Sequence, residues 1–262
     1  MRNNKDASLL CKAYRLCFFS FLAPIVLAAG AFAQASPETP YYARVNSFGF
    51  FAAYSNDSSR ILLGVAQNRK LLDFGASWSR RLFLDRVVNW QYSGEILPVA
   101  LESDPMAVIV QIQTAPAMVT STYPYGPIVS CNTQPTPYSY IDPTTGTTYS
   151  GTQDFVCKGR RWTVGEAISP VGMQWNFLPR RKTQPFFIGH GGYMYSTQEI
   201  PINGAGSFNF TFDLGAGIEL YRSKTRSIRA EYRYHHISNH GTAIENPGVD
   251  NGLFQVTYAF GR

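Results

Sequence analysis

Apolar and polar residues alternate with a period of two through the C-terminal part of the chain. In residues 208–220, every second side chain is apolar, and the residues between them are polar or small. The same alternation recurs in residues 228–235 and again in residues 254–260. A period of two is typical of a β-strand that lies between an apolar and a polar environment. The C-terminal part therefore predicts three strands, each with one apolar face.

The rest of the chain adds five more candidate strands of the same kind. The predicted strands are residues 45–54, 74–83, 87–100, 162–177, 186–195, 208–220, 228–238 and 254–260. The connections near residues 85, 181 and 224 are short, whereas those near residues 57, 130, 202 and 244 are longer. Outer-membrane barrels have short periplasmic turns that alternate with longer external loops. The sequence therefore predicts an all-β fold, an eight-stranded antiparallel transmembrane β-barrel whose interior is filled by side chains.

Residues 102–161 interrupt this pattern. They are rich in Pro, Thr, Tyr, Ser and Gly and lack sustained alternation, which predicts a long external loop insertion, with residues 106–112 as a local strand within it. Cys131 and Cys157 lie in this insertion, and an exported chain with one such pair is expected to oxidise it to a disulfide. A metal site or a redox pair is disfavoured because neither nearby histidines nor a Cys-x-x-Cys spacing is present.

The first residues have the features of a secretory signal peptide. Four basic residues between positions 2 and 15 precede an apolar run that ends in Ala31-Phe32-Ala33. We expect residues 1–33 to be removed after Ala33, with Ala35 as the alternative site, which leaves residues 34–262 as the barrel. Cys17 lacks the small residues that precede a lipidated cysteine, so a lipoprotein anchor is disfavoured.

Composition and charge agree with an exported β-protein. Removing the predicted signal lowers the formal net charge from +6 to +3, and no dense basic face remains, which argues against a nucleic-acid partner. Aromatic residues make up 15% of the chain and it contains 22 glycines, which favours β structure. After the signal, no apolar run is long enough for a transmembrane helix.

The candidate chemistry lies where the last two predicted strands meet. His236 and Ser238 continue the apolar face of their strand, so both side chains are expected to point toward lipid. Asp250 follows across the loop and starts the next strand. Ester hydrolysis by a serine needs a base, a carboxylate that orients the base, and donors to the oxyanion. We assign Ser238 as nucleophile, His236 as base and Asp250 as the orienting carboxylate, with Asn239 and Asn246 as oxyanion donors; neither metal nor cofactor is expected.

These residues resemble a known signature. His236-Ile237-Ser238-Asn239, followed by Asn246-Pro247-Gly248-Val249-Asp250, is similar to the C-terminal motif of the outer-membrane lipid A 3-O-deacylases, over about the last 30 residues. The resemblance implies an outer-membrane enzyme that hydrolyses the ester-linked 3-hydroxyacyl chain of lipid A. Its partners would be lipopolysaccharide and the surrounding lipids. In that family the acidic residue is usually a glutamate, so Asp250 has a side chain one methylene shorter.

Two other functions remain open from the sequence. One is a non-catalytic outer-membrane barrel whose disulfide-bonded surface loop binds a partner. The other is hydrolysis of phospholipids by the same hairpin. His190, in a His-Gly-Gly run, resembles part of an esterase oxyanion loop, but the chain has no Gly-x-Ser-x-Gly motif. A close-packed strand is the better interpretation of His190.

Overall fold

The computed structural model describes residues 41–56, 60–131 and 133–262, so the predicted signal peptide lies outside the described residues. The strands are β1 (Asn46–Ser55), β2 (Lys70–Leu84), β3 (Val88–Ala115), β4 (Val119–Pro127), β5 (Thr136–Ile141), β6 (Thr148–Phe177), β7 (Thr183–Ser196), β8 (Phe208–Ser223), β9 (Arg226–Ser238) and β10 (Val249–Gly261). In the part of the chain that is described, none of the helices has the length and apolar character needed to cross a membrane.

Antiparallel pairing closes these strands into a ring. The sheet runs in the order β4-β3-β2-β1-β10-β9-β8-β7-β6-β5, and a further ladder joins β3 to β6. β3 and β6 are the second and ninth strands in this order, so the ladder between them closes a ring of eight strands. The two end strands, β4 and β5, lie outside that ring. The structure therefore confirms the predicted eight-stranded antiparallel barrel.

The two faces of the barrel wall have opposite chemistry. On β9, the lumen-facing Arg229, Glu231 and Arg233 are only 2–4% exposed, while the outward-facing Ile228 and Tyr232 are 44% and 62% exposed. The outer surface is thus apolar and the interior polar, the reverse of a soluble protein. This arrangement is that of a membrane-spanning barrel.

Charged side chains inside the barrel are paired with one another. Arg233 donates to both carboxylate oxygens of Glu95 at 2.8 Å, to Glu231 at 3.1 Å and to Asp213 at 3.4 Å. Buried charges are tolerated when such partners satisfy them, and removing one partner is strongly destabilising. Because these side chains occupy the lumen, the structure agrees with a filled interior rather than a solute channel.

The two ends of the barrel differ in their connections. At one end the turns are short, at residues 85–87, 178–182 and 224–225. At the other end, which we call the long-loop end, the described parts of the connections are residues 56, 60–69, 197–207 and 239–248. The long-loop end also carries the continuation of β3 and β6 beyond the ring. If the outer-membrane pattern of short periplasmic turns holds, the long-loop end is the external one.

The segment predicted as a loop insertion is more regular than the sequence suggested. Beyond Ser103, which pairs with the first residue of β2, the β3–β6 ladder continues to Ala115, and β4 and β5 flank it. The result is a four-stranded sheet in the order β4-β3-β6-β5, which we call the distal sheet (residues 106–157). Polar, uncharged residues lie on both faces of this sheet and are partly exposed on β4 and β5. The sequence of these strands therefore shows no alternation of apolar and polar residues.

The predicted disulfide lies at the base of the distal sheet. Cys131, in the connection between β4 and β5, is bonded to Cys157 on β6. In the described part of this connection, Thr133 Oγ1 also donates to the Phe155 carbonyl at 2.7 Å. The β4–β5 connection is therefore held against the central ladder of the sheet. Its first residues also contact the connection between β1 and β2, where the Gln67 amide donates to the Val129 carbonyl at 2.8 Å.

Replacing both cysteines, Cys131→Ser with Cys157→Ser, should loosen the distal sheet and leave the ring intact. A disulfide that closes a loop of this size contributes at most about 3.5 kcal/mol, and its removal acts on the segment that it encloses. Hydrogen exchange should speed up for β4 and β5, while β9 and β10 keep their protection. Equal loss of protection in all these strands would show that the disulfide supports the whole barrel.

Candidate functional site

The β9–β10 ladder brings His236 and Asp250 together. The two residues are direct partners across the antiparallel pair, so their side chains lie on the same face. Alternation along β9 puts His236 and Ser238 on the side opposite to Arg233, which is the outward face. The predicted base and its carboxylate thus share the lipid-facing side at the long-loop end of the barrel.

The Asp250 carboxylate is fixed by donors on both of its oxygens. Its Oδ1 atom lies 2.7 Å from Nδ1 of His236 and accepts the Tyr234 hydroxyl at 2.8 Å. Its Oδ2 atom accepts the backbone amides of Leu62 and Leu63 at 2.7 and 2.9 Å. Although it lies on the outward face, Asp250 is fully buried. A carboxylate held by so many donors is ordered and able to fix one orientation of the imidazole.

The segment that covers Asp250 was not predicted from the sequence as part of the site. Residues 60–66 fold back over the β9–β10 hairpin, where the Val65 amide donates to the Pro247 carbonyl at 2.8 Å. Gly64 permits the close approach, since a Cβ at this position would lie 2.6 Å from the Asp250 nitrogen. Gly248 adopts a φ of 60°, and a Cβ there would lie 3.1 Å from Cε1 of His236. Gly64 is therefore needed for the packing against Asp250, and Gly248 for the packing against His236.

The contact of Tyr234 with Asp250 could be predicted from the sequence more readily than the contacts of the Leu62 and Leu63 amides. Tyr234 precedes His236 by two residues on the same strand face, so its position could have been inferred, but the pattern indicated only an apolar side chain. Leu62 and Leu63 act through backbone amides and lie more than 180 residues from Asp250. No side-chain motif marks such a contact.

The Ser238 side chain lies on the outward face, as predicted, but its hydroxyl is bonded to Asn246 and not to His236. It donates to Oδ1 of Asn246 at 3.1 Å and accepts the His240 amide at 3.1 Å. Among the described residues, no hydrogen bond joins this hydroxyl to His236. The Cα atoms of the two residues are roughly 6.6 Å apart by strand rise. Because Nδ1 of His236 is bonded to Asp250, Nε2 is the nitrogen that remains for a hydroxyl.

The two asparagines predicted as oxyanion donors have different environments. Both amide hydrogens of Asn239 are used, since Nδ2 donates to the carbonyls of Ala205 and Glu245 at 2.6 Å each, and the residue is 1% exposed. Asn239 therefore braces the loop and has no side-chain hydrogen left for an oxyanion in this arrangement. Asn246 is exposed, and its Oδ1 accepts the Ser238 hydroxyl and the Asn239 amide. Its Nδ2 makes no hydrogen bond among the described residues.

Apolar side chains surround the site on the outer surface. Across the β8–β9 ladder, Phe210 is the partner of Ser238 and Phe212 is the partner of His236. Both rings are partly exposed, and on the other side of the site Leu62 is 74% and Leu63 63% exposed. The Ser238 hydroxyl thus lies in a surface that suits a hydrocarbon chain rather than a dissolved polar substrate.

A second serine–histidine–aspartate constellation lies inside the barrel. Nε2 of His190 is 3.0 Å from the Ser93 hydroxyl, and its Nδ1 is 3.2 Å from Asp213. All three side chains are buried. The cavity lined by Asp213 measures about 30 Å³, which holds about one water molecule. Since no acyl ester can reach Ser93, we interpret this cluster as part of the polar lumen, in agreement with the packed-strand interpretation of His190.

The same interior contains a group of metal-ligand side chains. Ligand atoms of Glu95, His190 and Asp213 lie within 4.8 Å of one another. Arg233, however, donates to both carboxylates and contacts Nδ1 of His190 at 3.3 Å. A guanidinium in the centre of the group already pairs with both acids and occupies the place of a cation. The expectation that the protein needs no metal stays a prediction.

Comparison with known proteins points to one family. The family described as lipid A 3-O-deacylase (PagL) matches residues 125–259, just over half of the 262-residue chain. Among solved structures, the chain is similar to the outer membrane enzyme PagL (12% identity, TM-score 0.43, covering 82% of this chain and 99% of that one). It is also similar to Neisserial surface protein A (11% identity, TM-score 0.40, covering 83% and 97%). No curated protein sequence matches the chain.

Replacing Asp250 by alanine should release residues 60–66 from the site, because the amides of Leu62 and Leu63 lose their shared acceptor. Hydrogen exchange at these two amides should accelerate by at least about tenfold, as expected for the loss of a hydrogen bond of about 1.4 kcal/mol or more to a charged group. The matched control is Asp250→Asn, which keeps an oxygen acceptor and should leave both amides protected. Unchanged exchange in the alanine variant would mean that other contacts hold this segment.

Proposed function

Because the chain belongs to the lipid A 3-O-deacylase (PagL) family, we propose that it removes an ester-linked 3-hydroxyacyl chain from lipid A through Ser238, His236 and Asp250. The protein is an outer-membrane β-barrel, and deacylation of lipid A is the function of its family. The observation that carries the assignment of residues is the 2.7 Å contact between His236 and Asp250 on the lipid-facing side, with Ser238 two residues away on the same face.

The proposed reaction proceeds in two steps. Oγ of Ser238 attacks the ester carbonyl while Nε2 of His236 accepts the hydroxyl proton. Asp250 accepts a hydrogen bond from the Nδ1–H of His236 and stabilises the imidazolium that forms. The tetrahedral intermediate collapses when the C–O bond to the sugar breaks, and the imidazolium protonates the leaving sugar oxygen. Water, deprotonated by His236, then attacks the acyl-serine, and the fatty acid leaves as Ser238 regains its proton.

This reaction requires the Ser238 hydroxyl to turn from Asn246 toward His236. Both positions lie on the outward face of one strand, and catalytic hydrogen bonds often tighten only when substrate is bound. The turn would remove the hydroxyl from Oδ1 of Asn246. The Nδ2 group of Asn246, which makes no hydrogen bond among the described residues, can donate to the oxyanion. We assign Asn246 as the oxyanion donor beside Ser238, and Asn239 as the residue that fixes the loop.

The direction of the acyl chain follows from the apolar residues beside Ser238. Phe210, Phe212 and Leu214 lie on the outward face of β8 and are 44%, 38% and 56% exposed. A chain whose carboxyl end is at Ser238 would run along these side chains toward the centre of the bilayer. The sugar would then lie at the long-loop end, outside the hydrocarbon.

The Ser238→Ala variant should abolish deacylation without changing the fold. Lipid A from cells that produce the wild-type protein should lack one 3-hydroxyacyl chain by mass spectrometry, whereas cells with the variant should retain it. The matched control is Ser223→Ala, which removes a hydroxyl at the end of β8 that is bonded to Thr225 in the turn to β9. This control should deacylate as the wild type does.

Two results would contradict the proposal. Identical lipid A spectra for wild type and Ser238→Ala would support a non-catalytic barrel that uses the distal sheet as a partner-binding surface. Loss of an acyl chain from phospholipids in parallel samples, with lipid A unchanged, would support phospholipid hydrolysis by the same residues.

Asp250→Asn should separate the chemistry of the carboxylate from its structural role. The amide keeps an acceptor for the loop but cannot hold His236 in the required tautomer, so kcat should fall by about 10²–10⁴. Tyr234→Phe removes one donor to the same carboxylate and should cost much less, within about tenfold. Activity should be measured on purified protein in detergent, with circular dichroism as the check of folding. An Asp250→Asn variant with more than half of wild-type activity would exclude the carboxylate from the mechanism.

A further inference from the structure

One face of the distal sheet is rich in tyrosines and amides, all of which are at least partly exposed. Directly paired residues share a face, and the ladders place Tyr140 opposite Tyr149, Gln111 opposite Gln153, and Tyr123 opposite Ile109. The side-by-side pairing of Tyr138 with Gly151, and of Gly151 with Gln113, joins these rows into one surface. We call it the tyrosine face, defined by Gln111, Tyr123, Tyr138, Tyr140, Tyr149 and Gln153.

The rings on this face are stacked and accessible. Tyr140 lies 5.1 Å from Tyr149 with an interplanar angle of 12°, and 6.5 Å from Tyr138 with an angle of 22°. Tyr140 and Tyr123 are 54% and 50% exposed. The amide of Gln111 donates to Gln153 at 3.4 Å. Stacked rings with amides beside them offer apolar ring surface together with hydroxyl and amide hydrogen bonds.

The chemistry of the face identifies the class of ligand. None of the residues that the ladders place on the tyrosine face is charged, so it does not favour phosphate or an ionic partner. The C–H edges of a sugar ring pack against aromatic rings, and its hydroxyl groups pair with amides and phenols. An uncharged surface of tyrosine and glutamine therefore fits a neutral saccharide.

The position of the face identifies which saccharide is within reach. The ring of the barrel ends where Ser103 pairs with β2, and β3 continues for roughly 40 Å beyond it by strand rise. The distal sheet therefore stands outside the hydrocarbon layer while remaining continuous with the lipid-facing wall. We infer that the tyrosine face binds the oligosaccharide portion of lipopolysaccharide molecules in the same leaflet. The inference rests on the proposed function for the identity of the lipid and for the outward direction of the long-loop end.

The test measures saccharide binding apart from hydrolysis. The probe is a neutral oligosaccharide prepared from the outer saccharide of lipopolysaccharide, freed of acyl chains, phosphate and acidic sugars. It is titrated into the full-length mature protein in nanodiscs free of lipopolysaccharide. Tyr140→Ala should weaken binding by about three- to tenfold, the range for loss of one aromatic contact. Tyr140→Phe keeps the ring and should stay closer to wild type. Because the face is uncharged, affinity should not fall when the salt concentration is raised.

The matched control is Ile141→Ala, on the same strand and the opposite face, which is 65% exposed. It should bind the oligosaccharide as the wild type does. A second measurement compares KM for intact lipopolysaccharide and for isolated lipid A: Tyr140→Ala should raise only the former and leave kcat unchanged. Since the probe contains no ester-linked chain, a protein that binds it but fails to deacylate refutes the proposed function and not the binding.

Several outcomes would overturn the inference. Wild-type protein that does not bind the oligosaccharide, or equal loss in Tyr140→Ala and Ile141→Ala, excludes the face as a saccharide site. Quenching of these tyrosines by brominated lipids would place the face on the bilayer instead. A dimer that dissociates on Tyr140→Ala would show that a second copy of the chain covers it.

Discussion

The ladder between β3 and β6 is the interaction on which the rest of the structure depends. Inside a bilayer, a strand edge with unpaired amides and carbonyls is not tolerated, so a membrane sheet must close on itself. This ladder closes the ring, and it also continues beyond the wall as the centre of the distal sheet. One ladder, which contains register shifts both inside the ring and beyond it, therefore joins the membrane barrel to the surface that projects from it. Register shifts near Ser93 and Leu97 adjust the strands without breaking the closure.

The register of a second ladder sets the chemistry. His236 meets Asp250 because the β9–β10 pairing makes them direct partners, and both point outward because their strands alternate. A slip of one residue would turn His236 into the lumen and Arg233 toward lipid, which is costly for a charge in hydrocarbon. The buried ion pairs of Arg233 thus do more than fill the interior. They hold the register that keeps the histidine on the lipid side.

The sequence predicted those features that depend on alternation, and missed those that depend on distant backbone. The strand positions, the outward direction of Ser238 and the disulfide follow from local pattern and composition, and the structure has each of them. The hydrogen bonds from the Leu62 and Leu63 amides to Asp250 could not be predicted from the sequence, because backbone amides carry no side-chain motif. Asn239 was assigned by adjacency to Ser238, yet its alternation places it inward, where two carbonyls take its hydrogens. Of the distal sheet, only the strand at residues 106–112 was predicted, and it forms part of β3. The other strands lack a clean apolar period because neither face of the sheet is fully buried.

The barrel contains two serine–histidine–aspartate groups. Access to a lipid substrate, and not the number of hydrogen bonds within the group, decides which of them is suited to catalysis. Ser93, His190 and Asp213 have the more complete set of hydrogen bonds, but they are sealed in the lumen, where Arg233 also engages the acid and the imidazole. Ser238 lacks the bond to its histidine but is open to the hydrocarbon where an acyl ester would lie. A reactive hydroxyl needs access to its substrate before it needs an ideal base contact, and a side chain can rotate toward its base while a closed barrel cannot admit a lipid. The outer group is therefore the one whose geometry is compatible with a lipid substrate.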